Sequence, residues 1–315
     1  MEKVSIIGSG NVGANTAFFI AEKGITNVYL YDIQDGISTG KALDMMEAAP
    51  IRKYRNCITG IDDINDIRNS ESVIIAAGTA CSVGMKQEKL LEENWETVSR
   101  IVEKIVQISP ESIVIVATEP VDFLTTLIAQ KFSLPRNKLL GLGCILDASR
   151  LKAAVSRELS ISAENITAMV IGRDSDDMIV VSEYTRVSGI PLVQLIPEGK
   201  IKALIHEVRE GGNLIAELSE CPGSYYTPSA AAAEVIDAIH MDLKRILPVS
   251  VEMEGEYGTT GVAMSLPCVI GKNGVEKVLT PILTKAQQDA LKKSAEAIKE
   301  IIAVYGESKA HIRKS

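Results

Sequence analysis

Val4-Ser5-Ile6-Ile7-Gly8-Ser9-Gly10-Asn11-Val12-Gly13 is the stretch from which the rest of the chain can be read. A short β-branched apolar run breaks into three glycines and then into Ala14–Glu22, which has a helical pattern. The stretch predicts a strand, a tight turn and a helix N-terminus. Such a unit suits a pyrophosphate. Gly8 allows the turn, Gly10 lets the backbone approach the phosphates, and Gly13 lets the helix pack closely on the strand. Asn11 and Val12, within the turn, are expected near the cofactor, and the free N–H groups and the positive end of the helix dipole face the anion.

Outward from there, Val28-Tyr29-Leu30-Tyr31 reads as a second strand ending on Asp32, nineteen residues after Gly13. A carboxylate at that point accepts ribose hydroxyls and repels a 2′-phosphate, so NAD is expected rather than NADP. The alternation continues with a helix over Gly40–Ala49 stopped by Pro50, a strand at Val73–Ala76, a long helix over Lys89–Gln107, and strands at Ile113–Val116 and Leu139–Leu142. Near-continuous apolar strands separated by helices predict a doubly wound parallel sheet covered on both faces, an α/β fold.

Past residue 143 the texture changes, and the chain divides on this reading into residues 1–143 and 144–315. Asp147–Leu159 and Lys200–Leu218 read as helices, the second with an internal Gly211-Gly212. Ala168–Ile171 reads as a strand, and Thr227-Pro228 as the cap and first-turn proline of a helix to about Leu243. Val249–Glu252, Val262–Ser265 and Cys268–Ile270 read as antiparallel strands, with a hairpin turn at Lys272–Val275. The last helix opens on a capping box, Thr284 with Gln287, and carries an apolar stripe of Leu291, Ile298, Ile302 and Tyr305.

Composition sets the outer bounds. With 46% hydrophobic and 23% charged residues, the 315-residue chain reads as globular and large enough for two domains sharing a cleft. A net charge of −8 without a basic cluster argues against a nucleic-acid partner. No uncharged apolar run reaches the length of a membrane span, and a first strand at Val4 leaves no room for a leader, so a cytoplasmic protein is expected. The five cysteines are scattered without C-x-x-C spacing, which fits reduced thiols.

A resemblance then joins these features. The glycine turn, Tyr31-Asp32-Ile33, Gly40-Lys41-Ala42, Ala77-Gly78, Gly84-Met85, Leu90-Leu91 with Asn94, Pro120-Val121-Asp122, Leu146-Asp147 with Arg150, and Leu247-Pro248-Val249-Ser250 followed by Glu254–Gly258 fit one pattern. The chain resembles the lactate/malate dehydrogenases, nearest the lactate-dehydrogenase-like malate dehydrogenases. The resemblance implies an NAD-binding Rossmann domain, an α/β substrate domain, a small carboxylic acid as substrate, and a homodimer or homotetramer. It adds Gly78, Asn94 and Glu119 to the residues expected near the cofactor.

The family's chemistry requires a histidine as acid/base, an aspartate to orient it, an arginine fork for the substrate carboxylate and a loop arginine to polarise the carbonyl. Asp147 matches the aspartate and Arg150 the carboxylate-binding arginine, three apart at the start of one helix. The other positions depart from the pattern. Asp174 stands at the histidine position, Gln87 at the polarising arginine, Cys81 at the position that reads the substrate's tail, and Glu119 where the family has an asparagine. Ser224, Tyr225 and Tyr226 fall where the family closes the pocket, although tyrosines at a helix start also suit a core. His206, His240 and His311 are read as solvated; Arg173 either turns inward, where it would neutralise Asp174 and weaken the charge argument, or is a surface residue beside Asp176 and Asp177, the reading favoured.

With Arg150 positive and Glu119, Asp147 and Asp174 negative, the implied pocket carries a net charge of −2. Efficient malate or lactate turnover by the usual route is therefore not expected. One reading is an oxidoreductase for a non-standard acid, amino, imino or cationic, in which Asp147 and Asp174 share a proton and one acts as acid/base. A second is an NAD-binding pseudoenzyme or partner subunit. A third places a divalent ion among the carboxylates and Cys81, although their spacing is no metal motif.

Overall fold

A computed structural model describes residues 3–80, 85–173, 177–219 and 223–312, with side chains through Tyr305. The first half runs β1 (Lys3–Ile7), α1 (Asn11–Glu22), β2 (Asn27–Tyr31), α2 (Ile37–Arg52), β3 (Ile58–Ile61) and β4 (Ser72–Ile75). It continues with α3 (Gln87–Ile108), β5 (Ile113–Val116), α4 (Val121–Lys131) and β6 (Leu139–Gly141). β1, β4 and β5 are buried on both faces, apart from the first residue of β1, which is why their sequences read as unbroken apolar runs. These six strands pair in parallel in the order β3-β2-β1-β4-β5-β6.

Two local expectations are corrected here. Pro50 lies inside α2 rather than stopping it, because its missing N–H falls in the last turn and costs one bond before the helix closes on a left-handed Lys53. β3 was absent from the sequence reading because Gly60 interrupts its apolar pattern. That glycine is required by packing, since a Cβ there would lie 2.3 Å from Thr39 Cα on α2.

The second half contains α5 (Ile145–Leu159), β7 (Ile166–Thr167), β8 (Val170–Gly172), β9 (Met178–Val180), β10 (Arg186–Val187) and β11 (Ile190–Pro191). It continues with α6 (Leu192–Leu195), α7 (Glu198–Ser219), α8 (Tyr226–His240), β12 (Arg245–Glu254), β13 (Thr260–Gly271), β14 (Gly274–Val278) and α9 (Lys285–Ile312). The strands expected at Val262–Ser265 and Cys268–Ile270 are one strand, β13, which runs through Pro267 directly opposite Pro248 of β12. The cap of α8 is Tyr225 rather than Thr227, which stands one residue inside the helix. The capping box of α9 forms in both directions: Thr284 N–H donates to Gln287 Oε1 at 2.9 Å, and Gln287 N–H donates to Thr284 Oγ1 at 3.3 Å.

The two halves share one sheet. β6 is followed by antiparallel β12, β13, β8 and β9, and the join is the pairing of Gly141 with Ser250. Ser250 Oγ donates to the buried Asp122 Oδ1 at 2.5 Å, and Ser265 Oγ accepts from the Cys144 N–H at 2.9 Å. A Cβ on Gly143 would fall 2.1 Å from Ser265 Oγ, so the approach there depends on a bare backbone. The main core spans both halves, from Val4 to Tyr305, and a smaller one gathers Cys144, Leu151, Val155, Val170, Leu192 and Leu204. Among the described residues, no helix is long and apolar enough to cross a membrane.

Candidate active site

At the carboxyl ends of the parallel strands two adjoining chambers share Gly10, Ala76 and Gly78, forming one groove. The first, about 440 Å³, runs from Asp32 to the exposed face of α3 at Arg100 and Lys104. The second, about 400 Å³, runs from Asn11 and Val12 to Glu119, Ser224 and Tyr225.

The glycine turn builds the middle of this groove. Gly8 has a φ of +101°, and a Cβ there would meet Ala76 O at 2.6 Å, while a Cβ on Gly13 would meet Gly8 O at 1.8 Å. Both positions therefore exclude any side chain. Gly10 has no atom within 4 Å of where its Cβ would be, so a side chain there would project into open space. Its absence leaves room for a bulky anion against the first turn of α1. Ser229 Oγ of α8 lies 2.9 Å from Val12 O and 2.6 Å from Tyr225 O, its one proton shared between them, and brings this turn against the second half.

Asp32 ends β2 at the wall of the first chamber. Burial raises its carboxyl, but hydrogen bonds from the Ser9 hydroxyl, the Ser9 N–H and the Gln34 N–H, with Lys41 nearby, outweigh that and hold it below its ordinary value. It is thus an oriented anion. These features fit a dinucleotide with free ribose hydroxyls: a bare backbone for the pyrophosphate and a charged acceptor for the sugar.

Asn94, fully buried on α3, fixes the far side. It accepts from Thr79 N–H at 2.7 Å and donates to Thr79 O at 2.9 Å and Glu119 O at 2.7 Å. The backbone of Glu119 is thereby pinned while its side chain is exposed on the wall of the second chamber. Thr118 and the cis Glu119-Pro120 bond lead from here into α4.

α5 supplies the charged pair expected there. Asp147 is fully buried in its first turn, and Arg150, one turn on, has a side chain 16% exposed. Arg150 Nη1 meets Asp147 Oδ1 at 3.3 Å and Nη2 meets Ser224 Oγ at 3.4 Å, both long contacts, and its buried Nε has no partner among the described residues. Gly211 and Gly212 of α7 face this guanidinium, and a Cβ at Gly211 would come 3.5 Å from Arg150 Cδ. The arginine therefore keeps unsatisfied donors in a largely dry place, a suitable receptor for a carboxylate fork.

Two expectations come out differently, and the alternative left open at Tyr225 and Tyr226 is decided. Arg173 is tucked in rather than solvated: its side chain is 14% exposed, it pairs with Asp177 Oδ2 at 2.5 Å, and its guanidinium lies 5.8 Å from the Phe123 ring centroid. The aromatic face of Phe123 gives it a reason to leave water. His240 is paired rather than solvated, its Nδ1 2.9 Å from Glu71 Oε2 beside the start of β4, whereas His206 is exposed on α7. Tyr225 lines the second chamber and Tyr226 is 62% exposed, so neither is core. Gln87 begins α3 and lines neither chamber. Cys81 and Asp174 lie outside the described residues, as do Ser175 and Asp176. Among the described residues, no group of three His, Cys, Asp or Glu side chains is placed to hold a metal ion.

Comparison with known proteins agrees with this groove. Residues 2–141 match the model of the lactate/malate dehydrogenase NAD-binding domain, and residues 144–308 that of the lactate/malate dehydrogenase α/β C-terminal domain. The chain belongs to the lactate/malate dehydrogenase family. NAD is accordingly its cofactor. Among relatives in this family, the malate dehydrogenase of Heliobacterium modesticaldum is 39% identical over 305 residues, covering 97% of this chain and 99% of that one. A solved malate dehydrogenase from Salinibacter ruber superposes with a TM-score of 0.92 at 34% identity, covering 98% of this chain and 99% of that one. The lactate dehydrogenase of Cryptosporidium parvum, solved with lactic acid and NAD, gives a TM-score of 0.92 at 30% identity, covering 96% and 97% of the two chains.

Ser9 was the residue that sequence reasoning passed over. It stands between two fingerprint glycines and drew no attention, yet its hydroxyl is 2.6 Å from Asp32 Oδ2. Two residues 23 apart meet because β1 and β2 are parallel neighbours ending level, Ile7 opposite Tyr31.

Proposed function

We propose that this protein is an NAD-dependent oxidoreductase for a 2-substituted carboxylic acid other than malate or lactate, with an amino, imino or cationic substituent favoured. The observation that supports it is the partly unsatisfied Arg150 fork beside a chamber whose wall carries Glu119. Arg150 would take the carboxylate through its Nη2 and Nε donors, with Asp147 holding the guanidinium from the other side. Gly8–Gly13, Asp32 and Gly78 would hold NAD, which would supply the hydride acceptor. Asp174, at the position of the family's histidine, would share a proton with Asp147 and act as acid/base.

The charge balance favours a cationic neighbour. Arg150 is offset by Asp147, and Glu119 and Asp174, the latter when ionised, add negative charge to the pocket on this reading. A like charge about 4 Å from either carboxylate costs from about 1 kcal/mol in a water-like medium to about 4 kcal/mol at an effective dielectric near 20. A second carboxylate, as in oxaloacetate, meets that cost directly. Replacement of a titrating histidine and a polarising arginine lowers the expected rate on the usual substrates by about 10² or more for each.

The test is consumption of NADH over a panel of 2-oxo acids with and without ammonium, including acids with basic tails, against oxaloacetate and pyruvate. Turnover favouring an amino or imino product, or a basic tail, is expected. Brisk reduction of oxaloacetate would overturn the proposal. Tight NADH binding without turnover on any member would favour a pseudoenzyme instead.

A further inference from the structure

Ser9 is fully buried and does not line the first chamber, whereas Asp32 does. Its N–H and its hydroxyl both donate to Asp32 Oδ2, at 2.8 and 2.6 Å, while Gln34 N–H reaches Oδ1 at 3.1 Å. Lys41 Nζ of α2 clamps Ser9 O at 2.5 Å. A carboxylate offers about four acceptor directions, two on each oxygen. Ser9 fills both on Oδ2 from behind, and the open direction on Oδ1 is left for a ligand in the chamber. An alanine at position 9 would keep the backbone bonds from residues 9 and 34 and lose the hydroxyl bond, loosening the hold on the Asp32 carboxylate.

We propose that Ser9 is a positioning residue for cofactor choice: its hydroxyl locks the Asp32 carboxylate in the orientation that accepts a free ribose hydroxyl and repels a 2′-phosphate. The charge around Asp32 is mixed. Lys41 of α2 acts on Asp32 itself, while the neighbouring Tyr31 of β2 feels Asp32, Asp63 and Asp35. Arg100 and Lys104 of α3 line the same chamber and would attract a 2′-phosphate if Asp32 swung away. Rejection of NADP thus depends on where Asp32 points as well as on its presence.

The test measures the affinity of the whole protein for NADH and NADPH by fluorescence titration, for wild type, Ser9→Ala, Asp32→Ala and the double variant, between pH 3 and 7. A hydrogen bond to a charged group corresponds to about tenfold or more. Ser9→Ala is expected to weaken NADH binding about tenfold and NADPH binding less than about twofold, narrowing the preference. The pH at which NADH binding falls away on acidification should move upward, because the lost bond stabilised the ionised form. In the Asp32→Ala background the serine substitution should have no further effect. Equal weakening for both cofactors, a serine effect that persists without Asp32, or unchanged affinities would each overturn the proposal.

Discussion

Glu119→Asn tests the sign of the second chamber. The substitution removes one negative charge and restores the residue type of the family pattern, and the loop should stay in place, because Asn94 holds the carbonyl of residue 119 rather than its side chain. Two unit charges 4 Å apart repel by about 1 kcal/mol in water and about 4 kcal/mol at an effective dielectric near 20. Glu119 is exposed, so screening puts the effect near the lower figure, about 1–2 kcal/mol. A dicarboxylate should therefore bind about 5- to 30-fold more tightly to the variant. Quenching of bound NADH fluorescence by oxaloacetate, or by an unreactive dicarboxylate, measures this, first at low salt and then near 0.5 M salt, where about half of the gain should disappear. A neutral amide analogue should show no gain. Unchanged dicarboxylate affinity, or an equal gain for the amide, would refute the electrostatic reasoning.

Two further outcomes follow from buried charge. Arg150→Ala removes the guanidinium that meets the fully buried Asp147 at 3.3 Å, so thermal unfolding should shift down by the equivalent of about 3 kcal/mol, with carboxylate binding lost and Asp147→Asn recovering part of the stability; an unchanged Tm would count against the pair. Glu256 is raised by burial but held below its ordinary value of 4.5 by Arg136, its own N–H and that of Glu254. A carboxyl lowered on folding stabilises above 4.5, and that contribution is lost as pH falls through the lower folded value. Arg136→Ala should flatten the fall of Tm in that acid range, and an identical acid profile would contradict it.

The sequence displayed what its own periodicity encodes. β1, β4 and β5 read as buried strands because both of their faces are covered, and the i, i+3 spacing of Asp147 and Arg150 placed them on one side of α5. Contacts created by packing were hidden. Gly60 looked like a break because the backbone of α2 that requires it lies across the sheet, and Pro267 looked like an end because its partner, Pro248, is on another strand. The reach of Arg150 to Ser224 spans 74 residues, and only the family resemblance had brought them together. Arg173 was misread because the Phe123 ring that shelters it comes from α4.

The Gly141–Ser250 rung has a mechanical consequence. A backbone ladder that crosses from one half to the other leaves no hinge axis, so the halves should not swing apart as jaws. Amide exchange across that rung should be as slow as at the centre of either half, and the molecule should unfold as one cooperative body.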